Sequence, residues 1–204
     1  ARVAITTSDL AAELAEASNG LPQAQGLRHL VVARFLDAFD PEVAGADAPP
    51  DAWRAWLAAE HPLPHLASGV VRPWSEALAE EGAAPEHVVG SGDLAVLPYT
   101  SGTTGLPKGC MHPHGSLMHN AIASALWANG SSENVALAAV PMFHITGMVS
   151  VMHASIYMGA TIVLMPRWDR ELAGALISRH KVTNWTNIPT MVIDLLGSPN
   201  FASF

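Results

Sequence analysis

Apolar residues in this chain come in short runs separated by polar, glycine or proline breaks, and their spacing alternates between two patterns. Compact aliphatic and β-branched runs predict strands over Arg2–Thr7, His29–Ala33, Asp93–Tyr99, Val135–Val140, Thr161–Leu164 and Val182–Thr186. Between them, apolar residues three or four apart predict helices. Leu10, Leu14 and Ala17 mark the first, with Ser8 and Asp9 placed to cap it. Shorter helical pieces fall at Trp53–Ala59 and Trp74–Glu81, and Leu117, Met118, Ala121, Ile122, Ala125 and Leu126 stripe a longer one over Ser116–Trp127. Thr146–Met158 reads as a helix, and Asp169 caps another carrying Leu172, Leu176 and Ile177. Pro189 suits the first turn of a last helix running through Leu196.

Strands alternating with helices imply an α/β fold, a layered and largely parallel sheet flanked by helices. The pattern weakens from about residue 40 to 65, where Ala, Pro and Asp dominate, so this stretch reads as an excursion from the core. No internal repeat is present. At 204 residues the chain can bury roughly 70% of its unfolded surface, enough for one domain.

Composition narrows the picture. Half the residues are hydrophobic and 14% are charged, which excludes a disordered tail. A net charge of −8 offers no general field for nucleic acid or an anionic membrane. The single cysteine, Cys110, excludes an internal disulfide, and no secretory or transit segment opens the sequence, so the expected compartment is the cytoplasm. Asn134 to Pro166 lacks Asp, Glu, Lys and Arg and is long enough to cross a bilayer. Pro141, Gly147 and Gly159 break it and His144 and His153 interrupt it, so a buried strand–helix–strand unit explains it better.

The most distinctive stretch is Tyr99-Thr100-Ser101-Gly102-Thr103-Thr104-Gly105-Leu106-Pro107-Lys108-Gly109. Glycines let the backbone turn so that successive N–H groups face one anion, hydroxyls add donors, and Lys108 adds a mobile positive charge. Such a loop suits a polyphosphate, although it lacks the Gly-Lys-Ser/Thr order of a Walker A loop. A polar surface turn is the plain alternative. The run resembles the phosphate-binding signature of the adenylate-forming superfamily, which includes acyl-CoA synthetases, luciferases and peptide-synthetase adenylation domains.

That resemblance implies the large N-terminal domain of a fatty-acyl-CoA ligase. ATP and a carboxylic acid would give acyl-adenylate and pyrophosphate, and the acyl group would then pass to coenzyme A. It implies nucleotide binding by Thr100, Ser101, Gly102, Thr103, Thr104, Gly105 and Lys108, with Lys108 and Thr104 as the catalytic pair and Thr100 as the Mg²⁺ contact. The second constellation, Pro141-Met142-Phe143-His144-Ile145-Thr146-Gly147, is similar to the family segment bordering the acyl pocket, which makes Phe143, His144 and Gly147 the acid-binding candidates. A strand-to-helix turn with a core histidine is the plain alternative. No carboxylate stands here to pair with a substrate amine, so a plain carboxylic acid is expected over an amino acid. Asn184-Trp185-Thr186-Asn187-Ile188-Pro189-Thr190 resembles the segment backing the acyl site, without a catalytic role.

The family's glycine-rich adenine segment, its Tyr-Gly-x-Thr-Glu-like stretch, its ribose-binding aspartate and its mobile C-terminal lid domain with a catalytic lysine do not occur in residues 1–204. The sequence therefore reads as a fragment, inactive alone, whose partners are ATP, an acid, CoA and the remainder of the parent enzyme. An aryl-CoA ligase or luciferase-like enzyme is the nearest rival reading, and a non-catalytic interaction module is the rival of another class. His112, His114 and His119 suggest a metal cluster only weakly, because they lack cysteine or carboxylate company. Cys110 is read as a small core filler.

Overall fold

The computed structural model describes residues 2–37, 39, 49–84, 86–102 and 105–204. The chain divides into two compact units, Ala1–Glu86 and His87–Phe204.

The first unit holds strands β1 (Val3–Thr7), β2 (His29–Ala33) and β3 (Val70–Pro73), hydrogen-bonded in the order β1-β2-β3 and all parallel. Helix α1 (Ala11–Asn19) connects β1 to β2. Its small face, Ala11 and Ala15, closes on Leu27, Leu30, Val32 and Leu66 to form the unit's core. The cap expected from Ser8 or Asp9 is not made. Leu10 stands at the N-cap with no side-chain bond, because a turn closed by the Leu10 N–H on the Thr7 carbonyl (3.1 Å) comes first. Of the expected excursion, residues 40–48 lie outside the described residues. Beyond them, Asp51–Trp53 forms a 3₁₀ turn that leads into α2 (Arg54–Leu57). Helix α3 (Trp74–Leu78) stops short of the expected Glu81.

The second unit carries the other sheet. Strands β8 (Val135–Ala138), β9 (Thr161–Leu164) and β10 (Asn184–Trp185) pair in the order β10-β8-β9, again all parallel. Two further ladders are short and antiparallel: β4 (Leu94–Val96) with β7 (His112–Pro113), and β5 (Tyr99–Thr100) with β6 (Lys108–Gly109). The single strand expected over Asp93–Tyr99 is thus divided. Pro98 lacks an N–H and cannot donate to a ladder, and its carbonyl accepts instead from the Cys110 N–H at 2.9 Å.

Helix α4 (His114–Trp127) follows β7 and buries Leu117, Ala121 and Ala125, while Met118 and Leu126 of the expected stripe stay exposed. The segment expected as one helix over Thr146–Met158 has two parts: a π-helical stretch, Thr146–His153, continues as α5 (Ala154–Met158). The Ala154 N–H still reaches the Val149 carbonyl, the five-residue step of a π-helix. Gly159 ends α5 in the left-handed region at φ 69°. Helix α6 (Arg170–His180) is capped as its sequence predicts, by the Asp169 carboxylate accepting from the Leu172 N–H at 2.9 Å. Helix α7 (Pro189–Leu196) begins on Pro189, also as expected.

The core under this sheet joins Leu137, Ala139, Val163 and Met165 from the strands to Ala173 and Leu176 of α6. Trp168 stacks on Trp185 with ring centres 5.5 Å apart. Among the described residues, no helix is long and apolar enough to cross a membrane.

Candidate nucleotide and acid site

The signature residues form a hairpin. In its ladder Tyr99 opposes Gly109 and Thr100 opposes Lys108. Directly opposed residues of an antiparallel pair send their side chains to the same face with Cβ atoms roughly 5 Å apart. The Thr100 hydroxyl and the Lys108 ammonium stem therefore leave the ladder side by side. Between them the chain turns through Gly102 at φ 64° and Gly105 at φ 135°, conformations that a residue with a Cβ adopts only under strain. Thr100, Ser101, Gly102, Gly105, Leu106 and Lys108 are all exposed. Thr103 and Thr104, the other two nucleotide candidates, lie outside the described residues.

The second constellation leaves the C-terminal end of β8, the end of a parallel sheet where ligands commonly bind. Buried Ala139 and Val140 carry the chain to Pro141, where the His144 N–H bonds back to the Pro141 carbonyl at 3.1 Å. Gly147 explains the tightness of the turn. A Cβ there would lie 2.3 Å from the Pro141 carbonyl oxygen and 2.7 Å from that of Val140, so only glycine fits. The Thr146 N–H donates to His144 Nδ1 at 3.2 Å. With Nδ1 accepting, the proton of the neutral ring sits on Nε2, which is left as the donor on an exposed side chain. Phe143 is 86% exposed. At the same end of the sheet, β10 runs into Thr186-Asn187-Ile188-Pro189.

One hydrophobic cluster links the two constellations. Ala95 and Val96, on the strand entering the hairpin, pack with Leu117 and Ala121 of α4, with Ile145, and with Met148 and Val149 of the π-helical stretch. Beside this cluster lies a depression of about 240 Å³, bordered by His112, Asn120, Ser124, Thr146 and Ser150. The pattern of apolar residues gave no sign of Ser124 and Ser150, because a hydroxyl within a helical stripe reads as neutral.

Among the described residues, no group of three or more His, Cys, Asp or Glu is placed to hold a metal ion, so the weak cluster of His112, His114 and His119 does not form one. The Thr100 hydroxyl is a hard oxygen donor of the kind Mg²⁺ takes when the ion is shared with phosphate oxygens.

The sequence model of the AMP-binding enzyme family matches residues 1–204. The chain belongs to that family. Over 122 residues it is 38% identical to a long-chain-fatty-acid–CoA ligase of Bacillus subtilis, covering 59% of this chain and 21% of that protein. Over 139 residues it is 35% identical to 4-coumarate–CoA ligase 1 of Oryza sativa subsp. japonica, covering 61% of this chain and 24% of the relative. The chain thus spans roughly a fifth to a quarter of the length of these relatives. Among solved structures it is similar to o-succinylbenzoate CoA synthetase of Bacillus subtilis, determined with the acyl-adenylate intermediate OSB-AMP. There the TM-score is 0.62 at 25% identity, over 97% of this chain and 36% of the other. The α/β architecture expected from the sequence is that of an adenylate-forming enzyme.

Proposed function

We propose that this chain supplies the phosphate-binding and acid-binding parts of an ATP-dependent acyl-CoA ligase. The observation that carries the reading is the exposed hairpin, with Thr100 opposite Lys108 across a bend that turns on two positive-φ glycines. In the first reaction a carboxylate oxygen attacks the α-phosphorus, the bond to the bridging oxygen breaks, and pyrophosphate leaves with the electron pair. Negative charge gathers on the departing phosphates, so fixed N–H and hydroxyl donors with one mobile cation suit the step. Lys108 is that cation. Thr100, Ser101, Gly102, Thr103, Thr104 and Gly105 are the donors, with Thr104 and Lys108 as the catalytic candidates. Mg²⁺ held through the Thr100 hydroxyl would supply charge neutralisation to the phosphates. In the second reaction the CoA sulfur attacks the acyl carbon and AMP leaves, while the thiol proton passes to solvent or a base.

His144 borders the acid. Its Nε2–H is an exposed donor held on a tight turn, Phe143 offers an exposed ring, and Gly147 allows the turn itself. The leading reading of the acid is a long- or medium-chain fatty acid, with an aromatic acid as the alternative. The small size of the depression beside Thr146, about 240 Å³ and lined by Leu117, Ile145 and Val149 as well as by polar side chains, supports the alternative. The activity is placed in a longer protein that includes this chain, and the 204 residues alone are expected to bind ATP no better than about millimolar.

The test is acid-dependent exchange of pyrophosphate into ATP by the full-length protein. Lys108→Ala is expected to slow exchange by about a hundredfold or more, with Thr104→Ala reducing it as well. Unchanged exchange in both variants removes the hairpin from the mechanism. Absence of exchange with every acid, together with measurable ATP binding, favours the non-catalytic module instead.

A further inference from the structure

Strand β10 is held lightly by its backbone. It has two residues, and among the described residues it pairs with β8 alone, Asn184 opposite Ala136 and Trp185 opposite Leu137. Both strands run to the same end of the sheet, where β8 leads to the Pro141–Gly147 turn and β10 opens into Thr186-Asn187-Ile188. The Trp185 side chain is the second anchor of β10, packed against the core under the sheet. Its indole N–H is buried without a hydrogen-bond partner among the described residues. Packing rather than a directed bond therefore sets the ring, and its flat neighbour is Trp168, 5.5 Å away between ring centres and 6° from parallel.

Trp168 lies in the connection from β9 to α6 and does have a directed bond. Its indole N–H donates to Asp194 Oδ2 on α7 at 2.8 Å, and Asp194 Oδ1 accepts from the Arg170 guanidinium at 3.3 Å. The two bonds differ in worth. The Trp168 bond is short and has a charged acceptor. The Arg170 contact is longer and joins side chains 39% and 43% exposed, where water screens it. One carboxylate on α7 thus places one indole, and that indole places a second on a strand with little else to hold it. We propose that Asp194 is a positioning residue: through Trp168 and Trp185 it sets where β10 opens at the sheet end that carries His144. The proposal rests on the acid-activating reading above and adds to it a residue that acts on the acid through two stacked rings.

The experiment is pyrophosphate exchange by the full-length protein, with the KM for the acid and the KM for ATP measured separately. The acid is whichever of octanoic and 3-phenylpropanoic acid supports the faster exchange. Asp194→Leu removes the acceptor and is expected to raise the acid KM about fivefold, the worth of one net hydrogen bond, with the ATP KM and kcat within about twofold. Asp194→Asn, whose amide oxygen still accepts from Trp168, should keep the acid KM within about twofold, and so should Arg170→Ala, which removes only the screened ion pair. Trp168→Phe keeps a stacking ring without the N–H. It should match Asp194→Leu, and the two changes together should raise the acid KM no further than either alone. A variant that merely weakens the fold lowers the active fraction, which moves kcat and leaves both KM values in place. Should Asp194→Leu fail to fold, Trp168→Phe against Arg170→Ala gives the same reading. An acid KM unchanged in Asp194→Leu and Trp168→Phe overturns the positioning role, as does an equal rise in both KM values or full additivity of the two changes. Any of these results leaves acid activation standing, while exchange with no acid at all removes both.

Discussion

The hairpin at Tyr99–Gly109 and the turn at Pro141–Gly147 are opposites in construction. The hairpin has an unmistakable sequence and, among its described residues, a two-residue ladder, exposed flanks and glycines with positive φ. The turn has an ordinary sequence and a tightly determined structure, with Gly147 wedged against two carbonyls and His144 tied at its ring and at its backbone. The contrast fits the roles proposed for each. A loop proposed to receive a polyphosphate would leave its donors open until the ligand arrives. A turn proposed to present one donor at a sheet end would be rigid beforehand, with neighbouring backbone supplying the rigidity.

The largest effect that separates the two is expected at Gly147. Gly147→Ala drives a Cβ into the Pro141 carbonyl and should cost about 1–3 kcal/mol, read as a lower urea midpoint of the chain. A midpoint unchanged by this substitution would mean the turn yields easily, and the contrast would fail.

A smaller effect concerns the scaffold behind the turn. Glu171 on α6 accepts from the Asn200 amide at 3.0 Å and from the Ser198 hydroxyl at 2.7 Å, and its neighbour Arg170 reaches Asp194 on α7. Chiefly the Asn200 bond, then the Ser198 bond, with help from the Arg170 charge and against partial burial, hold the Glu171 carboxyl below its usual range. A lowered folded value means that this stabilisation is complete above the ordinary glutamate range and is lost as pH falls through the folded value. Acid unfolding followed by tryptophan fluorescence should show it, since the Trp168–Trp185 stack adjoins this network through the Trp168 bond to Asp194. Glu171→Gln should flatten that part of the acid limb, and an identical limb in the variant would assign it to other groups.

The smallest effect is expected in the hairpin itself. Leu106 is 87% exposed, so Leu106→Ala should move the urea midpoint by less than about 0.5 kcal/mol. A larger loss would show that the bend is packed after all and is not open to a ligand.

Much of this molecule was legible one residue at a time. The strand His29–Ala33, the Asp169 cap, the Pro189 start and the order of alternating elements follow from side-chain shape, local hydrogen bonding and hydrophobic periodicity, which act over a few residues. The glycine loop stood out as a candidate by its composition, while its two-residue ladder did not. Long-range contacts decided the rest. The chain forms two parallel sheets, one in each compact unit, a grouping that periodicity does not show. The Asp93–Tyr99 run divides because Cys110 returns to bond Pro98, and Ser8 and Asp9 lose their capping role to a turn. The need for glycine at Gly147 comes from carbonyls six and seven residues back along a folded path, and the hydroxyl pair of Ser124 and Ser150 exists only because two helical segments lie side by side. Local preferences are written residue by residue, whereas a close approach between distant atoms is a property of the packed chain, and the turn at Pro141–Gly147 is built from such approaches.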